Sequence, residues 1–535
     1  MKGNKHIKTT TKFVYPEFAA LFTLMLLLCF ALPVVGEPPE APTVVLTRSG
    51  WVRGAIEGPL RAFRGIPYAA PPLGELRWRP PELSTSWDGV RDATSFGPAC
   101  IQLNRQTGQV RGGEDCLTLN VYTAASGPLV NLPVMFFIHG GGNRQGAASQ
   151  PQFDAPLLAT HGVVVVTIQY RLGALGFLAQ PLLTAEGGGS SGNYALMDMI
   201  AALKWVRDNI GAFGGDAGRV MIFGESSGGT NVAALMTSPA ARGLFSRAAI
   251  ESGAVLRGGA LPLATAEAQS VPFVAAVGCD AAPDVLACLR AVPADTIVLN
   301  QGDIRHRVVE PRVLPVDTFD ALAANGAGVP LLIGSNTEET TALGDDPNVP
   351  ISADQYTAAV HAEFDELGVD VADHLLELYP ASDYDSPIYA LVALDTDVGY
   401  SCATRADALA MLRAPGAARH PIYCYVFTHR YENAADLNIL RAFHGAELPF
   451  VFGTLPTADD LFPVYVPTED EIALSNRMMD YWASFAAYGN ANGSGPIDWR
   501  RYTPDRETLL QLDVIARSLD GYHTEQCDFI STLYP

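Results

Sequence analysis

The sequence predicts an α/β fold in which a mostly parallel, twisted sheet carries helices on both faces. Short apolar runs rich in β-branched residues recur along the chain, and amphipathic helical patterns lie between them. Strands that are buried on both faces have such continuous apolar runs, which is typical of parallel sheets. The runs are Val134–Ile138, Val163–Tyr170, Val220–Phe223, Val329–Ile333 and Ile422–Phe427.

The clearest helix is predicted over Leu196–Phe213, where apolar residues recur at spacings of three and four. The beginning of the chain has a different pattern. Val44–Leu46 and Trp51–Gly54 are short strand-like runs separated by turn residues, so they predict a small N-terminal β meander.

Length and composition indicate a large globular protein. The chain has 535 residues, of which 48% are hydrophobic and 17% are charged. This length would allow several domains. Since no internal repeat or long low-complexity linker divides the chain, we expect residues 37–535 to form a single domain.

The first 36 residues have the pattern of a secretory signal peptide. Four lysines precede the apolar run Ala19–Val35, and the run ends in Val34-Val35-Gly36, whose side chains are small or modest. The alternative is an uncleaved N-terminal membrane anchor. We expect cleavage, which predicts a secreted or periplasmic protein without stable membrane association.

The formal net charge of −22 makes nucleic acid an unfavourable partner. An acidic surface favours neutral or cationic small-molecule substrates over anionic ones, although net charge by itself does not select a substrate.

Six cysteines form candidate disulfides for a secreted chain, although their spacing does not prove the pairing. No spacing matches a CxxC motif, so zinc and redox sites have little support. Cys424, within a strand-like run, is interpreted as a buried inert thiol. The candidate pairs are Cys100 with Cys116, Cys279 with Cys288, and Cys402 with Cys527.

The main candidate for chemistry is Ser226, in the segment Gly224-Glu225-Ser226-Ser227-Gly228. This segment follows the apolar run Val220–Phe223 and leads into a helix-compatible stretch, which is the setting of a nucleophile elbow. A second match, Gly188–Gly192, has no strand before it. We therefore interpret that segment as a flexible loop rather than a nucleophile site, and the overlapping GxGxxG match Gly187–Gly192 as a loop rather than a dinucleotide site.

His139-Gly140-Gly141-Gly142 follows the predicted strand Val134–Ile138 and resembles an oxyanion-hole loop. Attack on a carbonyl places negative charge on its oxygen, and backbone N–H groups can stabilise that charge. The predicted donors are the N–H groups of Gly141, Gly142 and Ser227.

A nucleophilic serine also needs a base and a carboxylate, which follow it in the order Asp or Glu, then His. His444 is mildly favoured among the histidines because it lies in a stretch with Gly and Pro that indicates a loop. Spacing alone does not choose among the seven that follow Ser226, which are His306, His361, His374, His420, His429, His444 and His523.

Together, several segments resemble the type-B carboxylesterases, the family that includes cholinesterases and some fungal lipases. The resemblance runs from about Val44 to Cys527 and implies the α/β-hydrolase fold. The segments are Phe63–Ala69, Glu114–Val121, His139–Gly142, Tyr170–Gly173, Gly192–Asn193, Trp205–Gly229 and His444–Gly453.

The resemblance implies that Ser226 is the nucleophile, Glu339 the acid and His444 the base. It also implies the three disulfide pairs above and a buried carboxylate, Glu225, beside the site. Glu338 competes for the role of the acid, because the motif that often reads Asp-Glu-Gly reads Glu338-Glu339-Thr340 here.

Two further departures concern the pocket. Asn143 stands where an aromatic residue commonly follows the glycines, which predicts a different pocket wall. The loop from Ile101 to Glu114 has no aromatic residue, so it lacks the tryptophan with which cholinesterases hold a quaternary ammonium. This departure disfavours cholinesterase activity.

The resulting prediction is a serine hydrolase of small carboxylic esters that works through an acyl-enzyme and needs no metal or organic cofactor. The alternatives are an acyltransferase on the same fold and a relative that binds without catalysis. The sequence does not predict the oligomeric state.

Overall fold

The structure is a computed structural model that describes residues 43–104, 107–256, 259–416, 419–455, 464–492 and 497–533. The predicted signal peptide, residues 1–36, lies outside these ranges.

Eleven of the described strands form one mixed sheet in the order β18-β17-β16-β15-β12-β11-β9-β10-β8-β4-β3. The strands are β1 Val44–Thr47, β2 Gly50–Arg53, β3 Ala55–Glu57, β4 Leu60–Pro67, β5 Val90–Asp92, β6 Gln102–Leu103, β7 Val110–Arg111, β8 Thr118–Thr123, β9 Leu132–Ile138, β10 Val164–Ile168, β11 Gly215–Glu225, β12 Arg247–Glu251, β13 Leu261–Pro262, β14 Val308–Val309, β15 Leu331–Asn336, β16 Ile422–Phe427, β17 Thr508–Leu512 and β18 Arg517–Asp520.

Helices connect and cover these strands. The α-helices are Pro156–Ala159, Gly173–Phe177, Pro181–Glu186, Tyr194–Asn209, Ser227–Thr237, Leu263–Ala276, Val285–Ala291, Ala294–Asn300, Thr318–Asn325, Ala353–Phe364, Val369–Leu378, Pro387–Thr396, Cys402–Arg413, Ala435–Asn438, Leu448–Phe452, Glu469–Tyr488 and Thr524–Leu533.

The centre of the large sheet is parallel, from β10 through β9, β11, β12, β15 and β16 to β17. Antiparallel strands flank it, with β8, β4 and β3 on one side and β18 on the other. The predicted α/β fold is confirmed.

The apolar runs are continuous because both faces of the central strands are covered. In β9, Phe136 and Ile138 pack into one hydrophobic core, whereas Met135 and Phe137 pack into the core on the opposite face. All four side chains are fully buried. Successive side chains of a strand point to opposite faces, so a strand between two helical layers has no polar face.

Strand β12 is missing from the sequence prediction, although it lies at the centre of the sheet. Its sequence, Arg247-Ala248-Ala249-Ile250-Glu251, has only three apolar residues in a row. Two of these are alanines, and both are fully buried. Small side chains suffice here because neighbouring elements pack closely, and such a run carries little hydrophobic signal.

The predicted N-terminal hairpin is present, since β1 pairs antiparallel with β2. β5 adds a third strand to this small sheet by pairing parallel with β2. The predicted helix over Leu196–Phe213 is also present, as the α-helix Tyr194–Asn209 followed by a 3₁₀ turn at Ile210–Phe213. Gly214, with a φ of 87°, ends this turn.

The structure contains the disulfides Cys100–Cys116, Cys279–Cys288 and Cys402–Cys527. Cys424 is a buried free thiol in β16, and burial raises its pKa well above the usual value. A thiol in this setting is unreactive. Within the described ranges, no helix is long and apolar enough to cross a membrane.

Candidate active site

Five neighbouring strands end at the same edge of the sheet and carry the candidate site. β9, β11, β12 and β15 end at Ile138, Glu225, Glu251 and Asn336, and β16 leads into the segment that contains His444. Because parallel strands have their carboxyl ends at one edge, residues far apart in sequence converge there. This edge is where open α/β sheets commonly bind ligands.

Ser226 lies in a strained turn between β11 and the helix Ser227–Thr237. Its φ of 57° and ψ of −126° are unfavourable for a residue with a side chain. The Ser226 N–H donates to the carbonyl of Glu251 at 2.9 Å, which ties the turn to β12. The turn therefore has the geometry of a nucleophile elbow.

Glycines on both sides of Ser226 permit this turn. A Cβ atom at Gly228 would lie 2.1 Å from the carbonyl oxygen of Ile138, and one at Gly224 would lie 2.6 Å from the same oxygen. Both distances are far shorter than van der Waals contact. The glycines therefore let the turn pack directly against the end of β9.

Gly228→Ala is expected to destabilise the protein by about 1–3 kcal/mol or more, because its methyl group would overlap backbone that cannot easily move. The matched control is Gly211→Ala, at a position where a Cβ atom meets no heavy atom within 4 Å. Urea unfolding of both variants measures the difference. Equal midpoints for the two variants would contradict the close packing of the elbow.

The loop after β9 also depends on glycine. Gly141 and Gly142 have φ values of 102° and 63°, and both line a cavity of about 580 Å³ together with Ser226. The N–H of Asn143 donates to Ser227 Oγ at 3.0 Å, so the loop is tied to the start of the helix. The Ser227 N–H belongs to the first turn of that helix, where N–H groups have no intrahelical acceptor.

Glu339 is fully buried and contacts the imidazole of His444. Its Oε2 lies 2.6 Å from His444 Nδ1. Its Oε1 accepts hydrogen bonds from Ser252 Oγ at 2.6 Å and from the N–H of Asn336 at 2.7 Å. These contacts hold the carboxylate in one orientation toward the ring.

Glu338 points to a different environment. Its Oε2 accepts hydrogen bonds from Thr337 Oγ1 at 2.5 Å and from the N–H of Ala442 at 3.2 Å, and its Oε1 lies 3.6 Å from Arg441. Of the two adjacent glutamates, Glu339 is therefore the one that contacts His444.

The other ring nitrogen of His444 faces the cavity that Ser226 lines. Nε2 lies 3.0 Å from Glu225 Oε1, although this oxygen accepts no hydrogen bond from the described residues. The hydrogen bonds of the described residues do not include one between His444 and Ser226 Oγ. Such catalytic hydrogen bonds are often long in unliganded enzymes and shorten when substrate binds.

Buried carboxylates control the charge of this site. Burial raises the pKa of Glu225 to about 7, and the charge of Glu339 acts in the same direction, while His444 opposes it. Burial alone would lower the pKa of His444, but the charges of Glu225 and Glu339 raise it to about 9. The resting imidazole is therefore held in its charged form at neutral pH.

Two further buried glutamates extend this group. Burial raises the pKa of Glu251 to about 8 despite a hydrogen bond from Trp482, and burial raises the pKa of Glu447 well above its usual value. Asn336 Nδ2 donates to Glu447 Oε2 at 2.5 Å. The charge of Glu447 also acts to raise the pKa of His444, in the same direction as the charges of Glu225 and Glu339.

The sequence patterns did not indicate four residues near the site, which are Glu251, Ser252, Tyr400 and Glu447. Glu251 and Ser252 lie at the end of β12, the strand that was also missed, so an acidic residue after a short apolar run was the available signal. Tyr400 packs beside the His444 ring at 5.2 Å between centroids. No local pattern marked Tyr400 or Glu447.

The second serine-containing match, Gly188–Gly192, is a loop after the helix Pro181–Glu186 rather than after a strand. Ser191 Oγ lies 2.7 Å from Thr184 Oγ1, and its side chain is fully buried. Neither Ser190 nor Ser191 lines the described cavity beside Ser226.

Comparison with known proteins identifies the family. A family model described as the carboxylesterase family matches residues 41–530. The chain belongs to the carboxylesterase family. Its similarity to individual members of this family extends over most of this chain and most of each relative. It is 36% identical to the fumonisin B1 esterase of Sphingopyxis macrogoltabida over 498 residues, which cover 88% of this chain and 87% of that protein.

Other members of the carboxylesterase family show the same relationship. The chain is 35% identical to the para-nitrobenzyl esterase of Bacillus subtilis over 490 residues, which cover 87% of this chain and 94% of that protein. A solved carboxylesterase of Geobacillus stearothermophilus has a TM-score of 0.78 at 32% identity, covering 91% of this chain and 99% of that one. The protein is an enzyme of the α/β-hydrolase fold that hydrolyses carboxylic esters.

Proposed function

We propose that this carboxylesterase works through an acyl-enzyme on Ser226, with His444 as the base and Glu339 as the acid. The observation that carries the proposal is the 2.6 Å contact between Glu339 and His444 at the wall of the cavity that Ser226 lines. A serine, an imidazole and a carboxylate in this chain order are the parts that acyl transfer on this fold requires.

In the first half of the reaction, Ser226 Oγ attacks the ester carbonyl while His444 Nε2 takes its proton. The tetrahedral intermediate carries negative charge on the former carbonyl oxygen. The N–H groups of Gly141, Gly142 and Ser227 stabilise this charge, and each such donor contributes roughly 2.7–4 kcal/mol. The intermediate collapses, the C–O bond to the alcohol breaks, and His444 returns its proton to the leaving alcohol.

In the second half, water attacks the acyl-enzyme. His444 takes a proton from this water, the oxyanion donors act again, and the bond to Ser226 breaks. The acid is released and Ser226 regains its proton from His444. Glu339 holds Nδ1–H of the ring throughout and stabilises the imidazolium. These steps require no metal and no organic cofactor.

A fluorophosphonate probe tests the proposal, because it phosphonylates an activated serine. We expect labelling of the intact protein, with the modified peptide containing Ser226 and not Ser190 or Ser191. A folded protein that hydrolyses esters but is labelled on another serine would contradict the assignment.

An acyltransferase on the same fold would use an added alcohol in place of water at the second half. Measuring acid release and ester exchange in the presence of ethanol separates these activities. We expect acid release to dominate.

The position of the Glu225 carboxylate beside His444 leads us to expect a specific pH dependence of kcat/KM. Only the neutral form of His444 can accept the serine proton, so kcat/KM should rise with pH up to about 9. Glu225→Gln removes a negative charge 3.0 Å from Nε2, which lowers the pKa of His444. We expect the acid limb of the kcat/KM profile to move about one unit or more to lower pH.

The matched control for this pH profile is Glu75→Gln, whose carboxylate is 79% exposed on the surface. This variant should keep the wild-type profile. An unmoved acid limb in Glu225→Gln would show that Glu225 does not set the charge of the imidazole.

We further propose that residues 1–36 are a signal peptide and that the mature chain is secreted or periplasmic. Three disulfides support this location, because such bonds persist in oxidising compartments. N-terminal sequencing of the exported protein tests the cleavage.

A further inference from the structure

The cavity that Ser226 lines has a basic wall, although the whole chain has a net charge of −22. Among the described residues that line it are three arginines, Arg111, Arg144 and Arg305, but only one carboxylate, Glu225. The charge of Glu225 is already paired, because its Oε1 lies 3.0 Å from Nε2 of His444. The wall therefore has a positive potential that the surface as a whole does not have.

A smaller cavity of about 320 Å³ also reaches Ser226, and its wall is also basic. It is lined by Arg305, His306 and Arg307, and its described lining includes no carboxylate. Arg307 is almost fully buried, and burial lowers its pKa to about 10. This guanidinium therefore keeps its charge at neutral pH. Both spaces beside the serine thus present cationic groups.

Arg305 is placed beside the oxyanion loop. It lines both cavities, and its Nη1 lies 3.2 Å from the position that a Cβ atom on Gly142 would take. The carbonyl of Arg305 accepts a hydrogen bond from Asn143 Nδ2 at 3.1 Å. Asn143 is the residue that replaces the common aromatic, so this substitution holds the arginine segment against the loop.

The terminal nitrogens of the Arg305 side chain lie at the cavity and make no hydrogen bond to the described residues. Arg305 Nε donates to Asp303 Oδ1 at 2.8 Å, and Asp303 is also contacted by Arg144 and His306. The carboxylate of Asp303 therefore accepts hydrogen bonds from the guanidinium groups of both Arg144 and Arg305. Among the described residues, Nη1 and Nη2 of Arg305 have no acceptor.

We propose that the substrates of this carboxylesterase carry a free carboxylate close to the scissile ester, as in half-esters of dicarboxylic acids. Arg305 binds this carboxylate, with Arg144 beside it, while the ester carbonyl points to the N–H groups of Gly141 and Gly142. Guanidinium groups bind carboxylates through charge-assisted hydrogen bonds that select for both charge and geometry. This inference rests on the proposed function and specifies its substrate class.

The test compares ethyl hydrogen glutarate with ethyl glutaramate, in which a neutral amide replaces the carboxylate at nearly the same size. Ethanol release gives kcat/KM for each ester. We expect the wild-type enzyme to prefer the half-ester by about tenfold or more, since hydrogen bonds to charged groups correspond to at least such a factor. Added salt should reduce this preference, because part of the arginine wall is exposed to solvent.

Three variants test whether Arg305 causes the preference for the half-ester. Arg305→Gln should lower the ratio of the two kcat/KM values by about tenfold, and Arg305→Lys should retain part of it because it keeps the charge but loses the planar fork. The control is Arg207→Gln, a half-exposed arginine that pairs with Asp208 away from the cavities and should leave the ratio unchanged.

Equal kcat/KM values for the two esters in the wild-type enzyme, or an unchanged ratio in Arg305→Gln, would overturn the inference. The arginines would then form only a structural ion-pair network with Asp303. Turnover of both esters with fluorophosphonate labelling of Ser226 would still support the proposed function. Turnover of both esters without labelling of Ser226 would instead contradict the proposed function itself.

Discussion

Ser226→Ala is expected to lower kcat for a short-chain aryl ester by about 10⁴-fold or more, because removal of the nucleophile leaves only binding and oxyanion stabilisation. The folded structure should remain, since Ser226 makes its tie to β12 through its backbone N–H. Steady-state hydrolysis measures the loss, and circular dichroism with thermal unfolding checks the fold.

Ser190→Ala is the matched control for this experiment. Ser190 belongs to the other glycine-flanked serine segment and is 5% exposed, but it lies in a loop that follows a helix. This variant should hydrolyse the ester at nearly the wild-type rate. Wild-type turnover in Ser226→Ala, or its loss in Ser190→Ala, would refute the proposed nucleophile.

Glu339→Gln is expected to lower kcat by about 10³- to 10⁴-fold. An amide in place of the carboxylate favours the wrong tautomer of His444 and no longer stabilises the imidazolium. The effect should be large because Glu339 is fully buried and contacts Nδ1 at 2.6 Å. Pre-steady-state acylation with an aryl ester measures the chemical step directly.

Glu338→Gln provides the control within the same segment. Its carboxylate contacts Thr337, Ala442 and Arg441 instead of the imidazole, so we expect a change in kcat of less than about tenfold. If Glu338→Gln were the more damaging substitution, the acid would have to be reassigned to the preceding position.

Local patterns predicted much of the fold because they report burial. The apolar runs of β9, β11, β15 and β16 are continuous since helices cover both faces of these strands. Strand β12 escaped prediction because its two fully buried alanines are small and add little hydrophobicity to the run. Apolar runs in a sequence therefore indicate buried strands with large side chains better than buried strands with small ones.

Net charge and the local charge of the site point to different substrates. The acidic composition favoured neutral or cationic substrates, whereas the walls of the cavities beside Ser226 carry Arg144, Arg305 and Arg307. A total charge averages over the whole surface, but a bound ester experiences the few groups within a Debye length of about 8–10 Å. Those groups become neighbours only when the chain is folded.

The sequence by itself determined the α/β architecture, the elbow around Ser226 and the glycine loop at Gly141 and Gly142, because each depends on residues adjacent in the chain. The family resemblance already implied Glu339, but only the tertiary structure shows that this glutamate, and not Glu338, contacts His444, and which basic residues surround the serine. These contacts join residues that are far apart in the sequence. Glu339 and His444, for example, are separated by 105 residues. No local pattern records a distance of that kind, since it is set by the register of neighbouring strands and the packing of the loops that follow them.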